Sequence, residues 1–486
     1  MFWRGVLGYL PVNIVQAIAG FGAIVVFTRL LSPEAYGHYA LAFSIAALVH
    51  LIGLTWIEAA MARFYAAEPE GEARSSLFAT LYRAFGLFCL IAPIPTGLIL
   101  AFAPIDHGLK LAVAAGLAAA VARSLLKLAQ ERRRAAGEVR GFALYDMIQT
   151  GGGFLLGAGL ALIGWGAAAP FAGAGAATAI CLVWALRPEL ALVRGGRFDA
   201  ARLKTYAAYG LPISLSLMLS LAMASTDRFV LAFYTGDAAV GAYHAGYSLA
   251  SRVLDIIFLW LAMAAGPAQV MAYEQGGETA LRRTSSEQAS LMVLIAVPAA
   301  VGLALVARPL AALMVGPELS EPAARVAPWI AFGALLSGVT THYLNHAFTL
   351  SKRTGRQIAA FGIPAAANLA LCFVLIPRYG LDGAAWATVA SFAIGLVASY
   401  VLMRGCLPLP VPWATIAGAG VSAGAMALAV TRVPAVGGPG EVLAKAAVGA
   451  LVYALVALAL DAGGARTQAA RLVRTLRASP QLGGAA

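Results

Sequence analysis

The sequence predicts an all-α polytopic membrane protein with about fourteen transmembrane helices, and three observations predict it. Of the 486 residues 61% are hydrophobic and only 12% charged, with a mean hydropathy of +0.82. No water-soluble domain carries such a composition. The apolar residues fall in long runs, and about 20 apolar residues cross a bilayer as a helix. Hydrocarbon offers backbone groups no partner, so the runs must be helices. The basic residues lie mostly in the short breaks between runs, rich in one break and sparse in the next.

The first run, 6–28, opens "MFWRGVLGYLPVNIVQAIAG" and mimics a signal peptide, with Ala17 and Ala19 placed as a cleavage site. Pro11, Asn13 and Gln16 interrupt its apolar core, and hydrophobicity continues to Phe27, so it reads as the first span. The further spans are 38–60, 77–100, 109–130, 141–163, 166–186, 207–232, 240–265, 287–307, 326–350, 357–376, 381–403, 411–430 and 441–461. An even number puts both termini on one side. That side collects 23 Lys and Arg, among them Arg4, Arg132, Arg133, Arg134, Lys352 and the tail residues Arg466, Arg471, Arg474 and Arg477. The other side has seven: Arg29, Lys110, Arg228, Arg308, Arg325, Arg378 and Arg432. By the positive-inside rule both termini are cytoplasmic.

Every outer loop is short, the longest being about 308–325. Any chemistry must therefore happen inside the bundle. The net charge of +12 has no basic soluble domain to carry it, so nucleic acid is not an expected partner. Cys89, Cys181, Cys372 and Cys406 lie in or at the ends of apolar runs without metal spacing, and read as packing residues.

The chain repeats itself. "YGHYALAFSIA" (36–46) overlays "VGAYHAGYSLA" (240–250) at an offset of 204, matching Gly37 to Gly241, Tyr39 to Tyr243, Ser44 to Ser248 and Ala46 to Ala250. "GWGAAA" (164–169) overlays "LDGAAW" (381–386). Helices 1–6 and 7–12 thus read as two pseudo-repeated six-helix lobes, 1–204 and 205–405. A helix pair (406–462) and a basic cytoplasmic tail (463–486) follow. Transporters are often built from such repeats, with the substrate site between halves.

"TRLLSPEAYGHYALAFSI" (28–45), "DRFVLAFYTGDAAVGAYHAGYSLASRV" (227–253) and "IPRYGLDGAAWATVAS" (376–391) resemble the polysaccharide and O-antigen flippases. These belong to the multidrug/oligosaccharidyl-lipid/polysaccharide exporter superfamily. The resemblance implies translocation of an undecaprenyl-pyrophosphate-linked oligosaccharide to the periplasmic leaflet. A central cavity between the lobes would open alternately to either side. Membrane lipids, and polysaccharide assembly proteins, are the implied partners, and a two-lobed chain can work as a monomer. A lipid II flippase and a drug/cation antiporter of the same superfamily are the alternatives. A membrane enzyme such as a glycan ligase or polymerase lacks the periplasmic loop it would need.

Four basic residues fall within spans: Arg83, Arg123, Arg252 and Lys445. A charge at that depth costs at least about 2.5–3.5 kcal/mol, which makes each a candidate functional residue. Arg123 and Arg252 are roughly 18–21 Å from the periplasmic end. Lys127 follows Arg123 at i+4 on one face. Guanidinium holds phosphate oxygens bidentately at any pH, so Arg252, Arg123, Lys127 and Arg83 are candidates for the pyrophosphate. For Arg83 and Lys127 snorkelling to the interface is the alternative; for Arg252 it is an ion pair with Asp255 on the same helix. Asp255, Asp146 and Glu58 are candidates for charge balance or for coupling to protons or sodium. "THYLNHAF" (341–348) offers His342, Asn345 and His346, and with His50 these are candidate sugar contacts. His342 and His346 lack a third ligand, so neither a metal nor a cofactor is expected. Asp227 and Arg228 read as interfacial, and "GGGFLLGAG" (151–159) as close helix packing. The repeat partners of Arg252 and Asp255 are Leu48 and Leu51, so this charge is specific to one lobe.

Overall fold

The computed structural model describes residues 2–351, 353–468 and 470. Lys352 and the tail bases Arg471, Arg474 and Arg477 lie outside the described residues, as does the side chain of Arg4. Helix α1 (Phe2–Leu30) hands over to α2 (Pro33–Gly53) at Ser32, whose hydroxyl accepts the Ala35 N–H, with Pro33 in the first turn. A break at Leu54 separates α2 from α3 (Thr55–Phe64), so the second span is bent. Helices α4 (Glu72–Ile91) and α5 (Pro93–Phe102) make the third, and α6 (His107–Ala135) the fourth. Helix α7 (Val139–Met147), a π-helical stretch (Ile148–Gly152) and α8 (Gly153–Leu162) make the fifth, and α9 (Ala169–Arg194) the sixth. Helices α10 (Ala200–Met223) and α11 (Thr226–Thr235) follow.

Two long helical stretches each carry two spans. Helix α12 (Asp237–Met314) turns at Gly277, and α15 (Thr354–Arg404) turns at Gly380. Between them lie α13 (Pro317–Val339), a second π-helical stretch (Thr340–Leu344) and α14 (His346–Leu350). Helices α16 (Trp413–Val430) and α17 (Gly438–Ala459) complete the described spans. No strand occurs among the described residues. Among the described residues eleven helices are long and apolar enough to cross a membrane. With two of them divided at glycines and α7–α8 added, each of the fourteen expected spans has a helical counterpart. The chain is a multi-pass, all-α membrane protein.

The described chain forms two compact units. Unit one comprises residues 1–245, 315–319 and 368–384. Its core joins Leu54, Ile57 and Met61 to Leu77, Phe78 and Leu81, with Tyr206 of α10 against Phe64. The glycine run after residue 150 serves packing: a Cβ on Gly173 of α9 would meet the Gly157 backbone nitrogen of α8 at 2.1 Å. The repeated glycines likewise meet each other. A Cβ on Gly37 would stand 1.9 Å from the Asp237 carbonyl oxygen, and one on Gly241 would stand 2.3 Å from that of Pro33. The repeat therefore brings the first turns of α2 and α12 into backbone contact.

Arg132 and Arg133, counted with the breaks between runs, lie in the last turn of α6 and are largely enclosed around the fully buried Glu189 of α9. Arg132 Nε donates to Glu189 Oε1 at 2.7 Å, Tyr82 donates to Oε2 at 3.3 Å, and the Arg133 guanidinium lies over the Tyr145 ring. A buried carboxylate demands such partners.

Unit two comprises residues 246–314, 320–367 and 385–486. Met426, Val430, Tyr453 and Ala457 of the α16–α17 hairpin pack on Leu294, Val297, Val301 and Leu305 of α12. Trp329 of α13 meets Trp386 of α15 edge to face.

Candidate functional site

In unit one the structure gathers three sequence candidates on one carboxylate. His50 and Glu58 are eight residues apart, about 12 Å along a straight helix. The break at Leu54 removes that separation, and His50 Nε2 lies 2.8 Å from Glu58 Oε1. Since a carboxylate only accepts, Nε2 carries the proton. From α6, Ser124 and Lys127 sit one turn apart on the same face. Ser124 donates to Glu58 Oε1 at 2.6 Å, and Lys127 Nζ is paired with Oε2 at 2.7 Å. Glu58 is buried (side chain 4% exposed), whereas Lys127 is accessible (43%) and His50 partly so. Read along the chain these residues have three separate roles; in the structure they form one cluster.

Arg123, one turn from Lys127, and Arg83 on α4 are exposed and make no ion pair or hydrogen bond among the described residues. An unpaired guanidinium in hydrocarbon is costly, so both belong beside water or a ligand. Asp146 is engaged otherwise: Gln16 Nε2 of α1 donates to its Oδ2 at 2.7 Å.

A second polar group lies at another end of the same unit. His38 of α2 places Nε2 2.9 Å from Asp237 Oδ2 and Nδ1 3.7 Å from Asp106 Oδ1. A cavity of about 350 Å³ opens beside it, lined in part by Ser32, Glu34, His38, Asp106 and Trp165. Asp106 caps α6: its carboxylate accepts the Gly108 N–H at 2.7 Å, which holds it below the ordinary carboxyl value. Sequence reasoning missed this group, because its members are joined only by long-range contacts.

Asp227 and Arg228 are buried in unit one, in α11, which follows a break after Met223. Asp227 accepts from the Tyr243 hydroxyl. Lys445, in unit two, donates to Glu441 one turn away and so is compensated.

Unit two carries the remaining candidates. Asp255 and His342 share a cavity of about 190 Å³ with Tyr247, Ser251, Ser337 and Thr341. Arg252 and Asp255 form no close ion pair among the described residues. The π-helical stretch changes the spacing of "THYLNHAF", since its wider turn no longer aligns i with i+4. His342 stacks on Phe258, His346 Nδ1 meets Gln269 Oε1 at 2.9 Å, and Asn345 is buried. Among the described residues no three His, Cys, Asp or Glu side chains group as a metal set.

The helical bundle, its repeat and its unpaired intramembrane bases point one way. The family described as "Polysaccharide biosynthesis protein" matches residues 26–324. The chain belongs to this family. Among curated relatives it is similar to a probable flippase, AglR, of Haloferax volcanii, 27% identical over 282 residues. That match covers 56% of this chain and 57% of the relative, so it spans little more than half of either. Among solved structures it shares the fold of a lipid II flippase, MurJ, in an inward closed conformation. There the TM-score is 0.78 at 13% identity, covering 94% of this chain and 99% of the other. An inward-facing multidrug resistance transporter of the MOP superfamily gives a TM-score of 0.61 at 15% identity, covering 80% and 94%. The fold is therefore that of the superfamily the sequence motifs resemble.

Proposed function

We propose that this family member is a transporter, and not an enzyme, that moves an undecaprenyl-pyrophosphate-linked oligosaccharide across the bacterial inner membrane by alternating access. The cargo would pass from the cytoplasmic to the periplasmic leaflet for surface polysaccharide assembly, with both termini in the cytoplasm. One observation carries the reading: Arg83, Arg123 and Arg252 stand exposed and unpaired within apolar spans. Such groups suit an anionic headgroup that arrives with its own charge. They also disfavour a cationic drug as cargo. Lobes 1–204 and 205–405, a further helix pair at 406–462 and a tail at 463–486 remain the proposed functional division. Asp255 and His342, with the hydroxyls around them, are proposed to meet the sugar portion.

The test is a deletion strain examined for lipid-linked oligosaccharide. Accumulation on the cytoplasmic leaflet, with surface glycan lost and growth retained, is the expected result. Loss of viability with trapped lipid II would favour the peptidoglycan alternative, to which the MurJ-like fold lends support. Unchanged glycan export overturns the proposal.

A further inference from the structure

The Glu58 cluster raises a difficulty for the anion site. Lys127 is a candidate ligand for phosphate, yet its ammonium is already neutralised by Glu58 at 2.7 Å. The Glu58–Lys127 pair carries no net charge to offer. An anion approaching Lys127 would also meet the Glu58 carboxylate, and in a low-dielectric surrounding that repulsion is strong. Either Lys127 takes no part in binding, or Glu58 must lose its charge when the anion arrives.

The surroundings of Glu58 fit the second course. Its carboxylate is held by α2, through His50, and by α6, through Ser124 and Lys127. The other acid on that stretch of α6, Glu131, is paired with Arg134 at 2.6 Å. The remaining neighbours of α3 face it with uncharged groups: Leu77, Phe78 and Leu81 from α4, and Tyr206 and Gly210 from α10. Enclosed in this way, the carboxylate has little room to swing aside, but it can accept a proton. Ser124 supplies the means. Its hydroxyl can rotate from donor to acceptor, so the O–H of a neutral Glu58 is bonded across the same 2.6 Å. Proton uptake at Glu58 then leaves Lys127 Nζ, which is already accessible, with an uncompensated charge.

We infer that Glu58 is an exchangeable counter-ion: a phosphate-bearing headgroup takes over Lys127 as Glu58 takes up a proton, so one proton joins the site with each anion bound. The inference rests on the proposed anionic cargo. It changes the part played by Glu58 from a fixed structural partner to a positioning residue that acts through Lys127. It also explains why an accessible lysine is paired with a carboxylate that is not itself accessible. In the resting protein the pair holds Lys127 in place without exposing a bare charge to hydrocarbon.

The test uses the purified full-length protein in detergent with inorganic pyrophosphate as the probe. Titration calorimetry at one pH, in buffers of different ionisation enthalpy, counts protons taken up on binding. Glu58→Gln keeps the shape and removes the site of protonation, and protonation of the probe itself is common to both proteins. The wild type should take up nearly one proton more than Glu58→Gln. Because one proton accompanies each anion, wild-type affinity should fall by up to about tenfold per pH unit relative to Glu58→Gln, which should bind the tighter. Lys127→Met should lose most of the binding in either background. Infrared difference spectra of the wild type alone give a second measure, in which pyrophosphate should raise a protonated-carboxyl band. Equal proton counts, or no such band, overturn the counter-ion role and leave the anionic cargo standing. Absence of binding by both the wild type and Glu58→Gln overturns the anion site itself.

Discussion

Arg252→Ala separates the roles a charge within a span can play. In the structure Arg252 is exposed and forms neither an ion pair nor a hydrogen bond among the described residues. Its removal should therefore change folding stability by no more than about 0.5 kcal/mol. A charge-assisted hydrogen bond to phosphate, by contrast, contributes roughly 1.5–3 kcal/mol. That corresponds to a loss of about 10- to 150-fold in headgroup affinity. The assay pairs thermal unfolding of the purified protein with its affinity for undecaprenyl pyrophosphate, and with glycan export in cells. An unchanged melting temperature with weakened binding and lost export is the expected result. Arg252→Lys keeps the charge without the planar fork and should restore part of the binding. A destabilised protein with undiminished affinity would refute the reasoning, because Arg252 would then be structural.

Other perturbations address the frame around the sites. Glu189→Ala removes the buried anion of Arg132 and Arg133, leaving them only the half-exposed Glu138 at 3.2 and 3.8 Å, and should cost up to about 3–5 kcal/mol of stability, read by denaturant unfolding. A loss below about 1 kcal/mol would place that cluster among exposed ion pairs instead. Gly37→Ala sets a methyl against the Asp237 carbonyl and should destabilise by about 1–3 kcal/mol or more; an unshifted melting temperature would contradict the backbone contact. Asp106 has its carboxyl held below the ordinary 3.8 by the Gly108 N–H. Because the folded value is the lower one, its contribution to stability is complete above pH 3.8 and is lost as pH falls through that lower value. Asp106→Ala should thus unfold more easily than the wild type at neutral pH, and the gap should close under strong acid. A gap that persists there would show that the capping charge is not its source.

The spans were legible because hydropathy and the alternation of basic residues both report on the bilayer, the dominant constraint on this chain. Their internal breaks were not. The bend at Leu54 follows Gly53, one glycine among 52 in this chain and so no mark by itself, and the π-helical stretch at Thr340–Leu344 has no sequence mark. The first of them decides the site chemistry, since it brings His50 to Glu58. The Glu189 cluster was hidden differently. Charge counting assigns every arginine near a span end to the loop, although an isolated glutamate among so many bases was a signal of pairing. The His38, Asp106 and Asp237 group depends on contacts between distant segments, which one sequence does not reveal. The matched glycines of the repeat did mark where α2 and α12 meet, since only a missing side chain permits that approach.

Reconstitution tests the central claim most directly. The purified protein is placed in proteoliposomes carrying a fluorescent undecaprenyl-pyrophosphate-linked oligosaccharide in both leaflets, and a membrane-impermeant quencher reads the outer one. The account predicts movement of the labelled lipid between leaflets that depends on the protein and falls sharply with Arg252→Ala. Protein-dependent movement that is indifferent to Arg252, Arg123 and Lys127, or no movement of this lipid at all, would contradict it.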